Sequence, residues 1–213
     1  MKAAAISFIL IVSAVGAGCS NIERSRNLAD PAVAGRVLAV QVCSACHGVD
    51  GNSVSPTFPR LAAQRPEYIV SQLTTFRAQQ RSDPPGPRYM WGISRFLTDE
   101  QIAGLAEYFS KQTALPNAAG DAKLIAAGRE IYEKGIPEEK VLACSACHGA
   151  QGEGLASFPR LAYQHADYVL KQLEVFQFTQ GRPGTPMEAI SHPLTGGDKK
   201  ALAAYLQAFP NAK

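Results

Sequence analysis

The sequence predicts an all-α protein built from two tandem copies of one small helical domain. Residues 43–76 and 144–176 contain the same motifs in the same order, and apolar side chains recur at helical spacing in both copies. No stretch alternates convincingly between apolar and polar residues, as a half-buried strand does. Because a solenoid needs at least three repeats, two copies indicate two domains.

The composition excludes several other classes of protein. The chain has 213 residues, of which 46% are hydrophobic and 18% charged, so it is too apolar for a disordered chain. The 18 glycines and 14 prolines follow no period, which excludes a collagen-like filament. The net charge is only +3 and the basic residues are scattered, so no nucleic-acid partner is predicted.

The N-terminus resembles an export signal. Lys2 precedes an uncharged run, Ala3–Gly18, that is shorter than the roughly 20 residues needed to cross a bilayer as a helix. Residues 1–19 are therefore interpreted as a signal peptide for export to the periplasm. The segment ends at Cys19, a candidate for lipidation because V-G-A-G-C resembles a lipobox, although Gly16 replaces the usual leucine.

Two alternatives to lipidation of Cys19 stay open. Ordinary cleavage would leave a free thiol, and an uncleaved segment would itself anchor the chain. Either a lipid or an uncleaved signal would associate the N-terminus with the membrane. Residues 20–30 are polar and are interpreted as a tether.

The first domain is predicted over residues 31–112. An opening helix over Ala32–Cys43 leads into a cysteine motif. The next helix covers Pro66–Gln79, since a proline is favoured in the first turn and apolar residues follow on one face. Thr98 is typical of a helix start, and a helix is predicted over Asp99–Lys111.

The second domain is predicted over residues 123–213, after a linker at 113–122 that is rich in small residues, proline and glycine. Its helices are predicted over Ala122–Lys134 and Asp198–Phe209. Each copy holds only about 80–90 residues, which is marginal for a self-sufficient hydrophobic core. We therefore expect something other than side chains to fill the centre of each domain.

Four of the five cysteines lie in two identical pentapeptides, C-S-A-C-H, and C-x-x-C-H is the attachment sequence of c-type haem. The residues are Cys43, Cys46 and His47 in the first copy, and Cys144, Cys147 and His148 in the second. Two thiols at this spacing can form thioethers with the two vinyl groups of one haem, and the adjacent histidine then lies under the iron. The sequence therefore predicts two covalently bound c-type haems.

Three other roles for the cysteine pairs fit the sequence less well. A thioredoxin-like redox pair belongs in a βαβ unit, and none is visible. A four-cysteine zinc site would have to bridge the gap between Cys46 and Cys144, which is far beyond ribbon spacing. Two structural disulfides are possible in an exported protein, but they would not require a histidine beside each pair.

The sixth ligand of each iron decides the function, because a thioether raises the reduction potential whereas an open position invites oxygen or peroxide chemistry. Apart from Met1, each copy has one methionine, Met90 or Met187, in a predicted loop ahead of the last helix. We predict that both are axial ligands. His165 and His192 are not repeated in the first copy and are interpreted as surface or packing residues, with ligation by two histidines as the alternative.

With these motifs, the chain resembles the class I c-type cytochromes and, in its tandem form, the cytochrome c4 family. The resemblance rests on C-x-x-C-H-G, F-P-R-L-A followed by a glutamine, Y-x-x-x-Q-L-x-x-F, and a methionine before the final helix. It implies that each domain is a few helices wrapped around one covalent haem. Gly35 and Gly128 would then let the first helix of each domain cross the last one closely.

The same resemblance implies roles for residues near each haem. The carbonyls of Pro59 and Pro159 would accept a hydrogen bond from the second ring nitrogen of the two ligand histidines. Leu61 and Leu161 would pack on the haem faces. Arg60 and Arg160 would pair with haem propionates, unless they are merely solvated surface arginines.

The resemblance implies an electron carrier rather than an enzyme. Electrons would pass from a quinol-oxidising cytochrome complex or a dehydrogenase to a terminal haem-copper oxidase. Two alternatives stay open: a haem subunit docked to a dehydrogenase complex, and a dihaem peroxidase in which one iron lacks its sixth ligand.

Overall fold

The computed structural model describes residues 24–84, 86–178, 181–182 and 184–209. The predicted signal peptide and Cys19 lie outside the described residues. The helices of the first half are α1 (Gly35–Leu38), α2 (Ser44–His47), α3 (Pro66–Arg77), α4 (Gly86–Ser94) and α5 (Asp99–Ser110). Those of the second half are α6 (Ala122–Lys134), α7 (Ser145–His148), α8 (Ala166–Phe178), α9 (Met187–Ser191) and α10 (Gly196–Ala208).

Regular structure in the described ranges is helical. Its one extended feature is an isolated bridge between Ile136 and Val141, so the all-α prediction is confirmed. A π-helical turn, Ala39–Cys43, joins α1 to α2 and makes one continuous helical run. Among the described residues, no helix has both the length and the apolar character needed to span a membrane.

The first and last helices of each half cross in close contact, as the resemblance implies. A Cβ atom built on Gly35 would lie 2.7 Å from the backbone nitrogen of Leu105 in α5. A Cβ on Gly128 would lie 2.8 Å from the Cβ of Tyr205 in α10. Both distances are shorter than real Cβ atoms tolerate, so glycine is required at each crossing.

The longer helices lie close to their predicted positions. Helix α6 has its predicted bounds, and α3 and α5 end within two residues of theirs. Helix α10 begins two residues earlier than predicted, because the Thr195 hydroxyl accepts a hydrogen bond from the backbone of Asp198 at 3.2 Å. That bond satisfies one of the free donors of the first turn.

The predicted loops around the two methionines are wrong. Met90 lies inside α4 and Met187 is the first residue of α9. Proline and glycine before these methionines suggest a loop in the sequence, but a proline in or just before the first turn leaves the rest of a helix intact. Pro87 lies in the first turn of α4, and Pro186 directly precedes α9.

Each half has its own apolar core, and the two cores anchor the cysteine motif differently. In the second half, Tyr132 of α6 is fully buried, and its hydroxyl donates to the Gly149 carbonyl at 2.6 Å. The first helix of the first half has no such aromatic residue. There, Tyr108 of α5 donates to the Val49 carbonyl at 2.8 Å.

Two glutamines, one from each half, join the halves through reciprocal hydrogen bonds. Gln64 accepts from the Arg160 backbone N–H at 2.7 Å and donates to the Arg160 carbonyl at 3.0 Å. Gln164 accepts from the Arg60 backbone N–H at 2.8 Å and donates to the Arg60 carbonyl at 3.0 Å. We call this arrangement the glutamine clasp; its symmetry shows that the repeats are related by an approximate two-fold axis.

The segment between α5 and α6 is bonded to both halves. Asn52 of the first half donates to the Thr113 carbonyl at 2.9 Å and accepts from the Leu115 N–H at 3.0 Å. Gln207 of the second half donates to the Ala118 carbonyl at 3.2 Å. These bonds tie residues 113–118 of the connector to both halves.

Candidate functional site

The two halves share one cavity of about 950 Å³. Its walls include every residue predicted as a haem attachment or iron-binding group: Cys43, Cys46, His47, Met90, Cys144, Cys147, His148 and Met187. Leu61 and Leu161, which the resemblance places on the haem faces, also line it. The structure thus gathers residues that are far apart in sequence around one mainly apolar space.

The thiols of each pair lie on one helical run with their histidine. Cys43 ends the π-helical turn and His47 ends α2, so these residues are four apart and share a face. Burial raises the pKa of Cys43 to about 12 and that of Cys144 to about 11. A thioredoxin-like pair needs a thiol with a lowered pKa, so this setting does not fit that alternative.

Each motif histidine is buried and oriented by a proline carbonyl. The Nδ1–H group of His47 donates to the Pro59 oxygen at 2.8 Å, and that of His148 donates to the Pro159 oxygen at 2.9 Å. Burial lowers the pKa of both rings, although the carbonyl acts against it. A neutral ring that donates through Nδ1 keeps Nε2 as the acceptor, which is the form that binds a metal.

Glycines with positive φ end both motifs. Gly48 has a φ of 79° and Gly149 a φ of 83°, a region that other residues rarely adopt. Phe58 and Phe158 then lie edge-on to the two histidine rings, with centroid separations of 6.2 and 6.1 Å. The chain therefore turns away directly after each histidine and returns to cover it.

The two methionines hold matching places in the cavity wall. Met90 and Met187 are both partly buried, and each begins or lies in the short helix that precedes the last helix of its half. The Ser94 hydroxyl donates to the Met90 carbonyl at 2.6 Å within α4. Helical geometry thus fixes the backbone of Met90.

Arg60 and Arg160 line the cavity and each has a buried Nε atom with no hydrogen-bond partner. The Nη1 group of Arg60 donates to the carbonyls of Leu115 and Tyr163 at 2.8 and 3.0 Å, so this side chain is not a solvated surface arginine. Buried donors without a partner are costly. The unpaired Nε atoms beside a large apolar cavity fit a ligand with an apolar body and carboxylate groups, as haem has.

Ligation of the irons by two histidines does not match the geometry. Among the described residues, no group of three or more His, Cys, Asp or Glu side chains is placed to hold a metal ion. Neither His165 nor His192 lines the cavity. His165 is a packing residue between the halves: its Nε2–H donates to the Ser53 carbonyl at 2.9 Å, and its Nδ1 accepts from Asn117 at 3.2 Å.

Sequence reasoning missed a polar network that we call the interface cluster. It lies where the halves meet, and all its members line the cavity. The members are Tyr68, Gln72, Arg81, Asp83, Tyr168, Lys171, Gln172 and Arg182. Two tyrosines and two glutamines are matched between the repeats, and a polar residue repeated in this way was the available signal.

Comparisons with known proteins agree with this geometry. A family model described as "Cytochrome c" matches residues 32–113, and one described as "Cytochrome C oxidase, cbb3-type, subunit III" matches residues 123–206. Cytochrome c4 of Thiocapsa roseopersicina is 41% identical over 82% of this chain and 90% of that protein. A thiosulfate dehydrogenase electron acceptor of Thiomonas intermedia is 30% identical over 79% of this chain and 78% of its own length.

A solved structure agrees as well. The crystal structure of reduced recombinant cytochrome c4 from Pseudomonas stutzeri is similar with a TM-score of 0.72 and 35% identity. The match covers 82% of this chain and 96% of that one. Both halves of the fold are therefore matched together, not one domain alone.

Proposed function

Since the chain belongs to the cytochrome c4 family and has two cytochrome c domains for two covalently bound c-type haems, we propose that it carries electrons through irons that are each held by one histidine and one methionine. His47 and Met90 would bind the first iron, and His148 and Met187 the second. The observation that carries the proposal is the cavity wall, where all four side chains occur.

The residues around each iron would have distinct tasks. Cys43 and Cys46, and likewise Cys144 and Cys147, would hold the haem covalently. The bound haem supplies a one-electron change at iron. Pro59 and Pro159 keep the ligand histidines in one tautomer and orientation, because each carbonyl accepts the Nδ1 proton.

The methionine ligands would also keep other molecules away from the irons. A methionine sulfur would occupy the position that oxygen or peroxide needs, so reagents would not reach the metal. We therefore propose a carrier without catalytic residues, rather than a peroxidase. The buried Nε atoms of Arg60 and Arg160 would meet the haem carboxylates.

For the partners, we propose a quinol-oxidising cytochrome complex or a dehydrogenase as donor and a haem-copper oxidase as acceptor. The similarity to a thiosulfate dehydrogenase electron acceptor favours a dehydrogenase as the donor. It equally supports the second candidate function, a haem subunit docked to such an enzyme. Co-purification with a dehydrogenase from membranes would distinguish a stable subunit from a free shuttle.

We further propose export to the periplasm by residues 1–19, with Cys19 as a lipid anchor or an uncleaved signal in its place. Residues 20–30 would be the tether, and domains over residues 31–112 and 123–213 would follow, joined by 113–122. Mass spectrometry of the mature protein tests these proposals together. It reports the cleavage site, acylation and the number of bound haems.

Carbon monoxide binding to the reduced protein tests the ligands. The wild-type protein should bind it poorly, and Met90→Ala or Met187→Ala should open one iron to it. Ile93→Ala and Ile190→Ala are matched controls, because each alters a cavity residue three positions after a methionine. If the methionine variants bind no more carbon monoxide than these controls, the ligand assignment is wrong.

A further inference from the structure

Helix α4 and the turn that follows it present cationic and aromatic side chains to solvent along one side. The exposed residues are Arg88, Tyr89, Gly92, Arg95 and Phe96. They are separated by steps of three, four and seven, so they lie on one side of a helix. The Arg95 N–H still makes the helical bond to the residue four before it, at 3.1 Å. We call these five residues the α4 stripe.

The two arginines of the stripe carry a positive charge that no acidic group pairs with. Among the described residues, neither Arg88 nor Arg95 forms an ion pair. Residues 86–98 contain these two cations and no aspartate or glutamate. The aligned residues 183–195 of the second repeat contain Glu188 and no lysine or arginine. The positive stripe is therefore a property of the first repeat and not of the fold that both repeats share.

Tyr89 connects the stripe to the predicted iron ligand of the first domain. Its side chain is 41% exposed and also lines the cavity. Its ring lies edge-on to that of Phe58, with 5.8 Å between the centroids, and the Phe58 centroid lies 6.2 Å from that of His47. Two ring contacts thus lead from the protein surface to His47. Pro186 stands at the matching place of the second repeat, so this connection also belongs to the first repeat.

The stripe has the composition of a protein-docking surface. Arginine and aromatic side chains are enriched at the centres of protein interfaces, where they contribute most of the binding energy. A guanidinium group binds a carboxylate through two parallel hydrogen bonds. A Cβ atom built on Gly92 would meet no atom within 4 Å, so the middle of the stripe is open to a close-fitting surface. A protein that presents carboxylates matches both the charge and the shape.

An anionic membrane surface is the competing occupant, and it fits the stripe less well. Binding to a bilayer surface depends on apolar side chains that enter the headgroup region. Here the Arg95 guanidinium carbon lies 4.6 Å from the Phe96 ring centroid, so a cation covers that ring. Tyr89 is in contact with Phe58. Both exposed rings are engaged by neighbours, whereas a protein partner needs only to contact their outer faces.

We propose that the α4 stripe is the docking surface for an acidic one-electron redox protein, which exchanges electrons with the iron bound by His47. The proposal rests on the proposed function, because it requires that iron. One electron crosses the contact. The partner's redox centre is oxidised when the iron changes from ferric to ferrous and is reduced in the opposite direction, and no proton or atom is transferred.

The test uses reduced plant-type [2Fe–2S] ferredoxin, an acidic protein, as the probe. Its reduction potential lies below that of a haem iron with a methionine ligand, so it gives one electron to the ferric protein. Stopped-flow spectroscopy of the haem-loaded protein measures the second-order rate constant. Arg88→Glu and Arg95→Glu should each lower it on the order of tenfold at low ionic strength. The difference should disappear at about 1 M salt, which screens exposed charges within about 3 Å.

Lys123→Glu is the matched control, because it changes the net charge by the same amount at an exposed residue of α6. Its rate constant should stay near that of the wild-type protein. Arg88→Gln removes a charge without adding the opposite one and should give an intermediate rate constant. Hexaammineruthenium(II), a small cation that donates one electron, should reduce the two glutamate variants of the stripe no more slowly than the wild-type protein. That result would show that their irons still react.

Two binding measurements locate the contact independently of the rate. When oxidised ferredoxin is added to the ferrous protein, the backbone amide resonances of residues 86–97 should shift. They should shift much less in a variant that combines Arg88→Glu with Arg95→Glu. Flotation with vesicles of phosphatidylcholine and phosphatidylglycerol tests the membrane surface, and we expect the stripe variants to behave there as the wild-type protein does.

The outcomes separate this inference from the proposed function. The docking role is wrong if the stripe variants react with ferredoxin as fast as Lys123→Glu, or if the wild-type rate constant does not depend on salt. Vesicle binding that the stripe variants lose, with an unchanged ferredoxin reaction, would also overturn it and assign the stripe to a membrane. Fewer than two haems, or irons without methionine ligands, would instead contradict the proposed function.

Discussion

Replacing Gln64 by leucine tests how firmly the glutamine clasp holds the two domains together. Leucine has a similar volume, but it leaves the buried N–H and carbonyl of Arg160 without the partners that they now have at 2.7 and 3.0 Å. Each buried group that loses its partner costs about 1–3 kcal/mol. We therefore expect the free energy of unfolding to fall by about 2 kcal/mol or more.

The measurement is guanidinium unfolding of the haem-loaded protein, followed by circular dichroism. The product of the midpoint shift and the slope gives the change in free energy. Gln151→Leu makes the same change at an exposed position and should leave the midpoint nearly unchanged. Because the clasp is reciprocal, Gln164→Leu should destabilise the protein by a similar amount.

If Gln64→Leu unfolds at the same denaturant concentration as Gln151→Leu, the clasp does not stabilise the protein. A loss of stability in only one of the two clasp variants would also contradict this role, because the bonds of Gln64 and Gln164 are equivalent. A uniform loss in both variants, without loss of haem, is the expected result.

Two other predictions concern packing and pH. Gly128→Ala should destabilise the protein by about 1–3 kcal/mol, because the new methyl group meets the Ala201 backbone. Gly92→Ala, in open space within α4, should instead stabilise the protein by about 0.5–1 kcal/mol. Both values come from the same unfolding assay. Burial lowers the pKa of His165 below its ordinary value of 6.5, so the unfolded chain binds a proton at a higher pH than the folded protein does. The free energy of unfolding should therefore decrease as the pH falls below about 6.5. His165→Gln should weaken this pH dependence, measured as the denaturation midpoint at a series of pH values. If the midpoint of the variant depends on pH as strongly as that of the wild-type protein, His165 is not the cause.

The repeat and the haem motif explain why so much of each domain could be predicted. C-x-x-C-H is specific for covalent haem attachment, and the alignment of the two copies shows which residues recur in both. The close helix crossings at Gly35 and Gly128 were implied by the family resemblance and are present. These features are local to one domain or repeated in both, so a single sequence contains them.

The contacts between the domains could not be predicted, because they depend on relative orientation. Gln64 bonds to the backbone of Arg160, 96 residues away, and nothing in the pattern of either repeat pairs them. Asp83 lacks a counterpart in the second repeat and therefore gave no signal by comparison of the copies. The helical position of Met90 was missed for another reason, since prolines near it suggested a loop.

The connector between the domains also affects how this protein would work with two redox partners at once. A slack connector would let the domains drift apart, and the distance between the irons would then fluctuate with every encounter. Here Thr113, Leu115 and Ala118 are each bonded to a domain surface, so the connector holds the two domains at one separation. Electron transfer between the domains would then cross the same distance in every encounter with a partner.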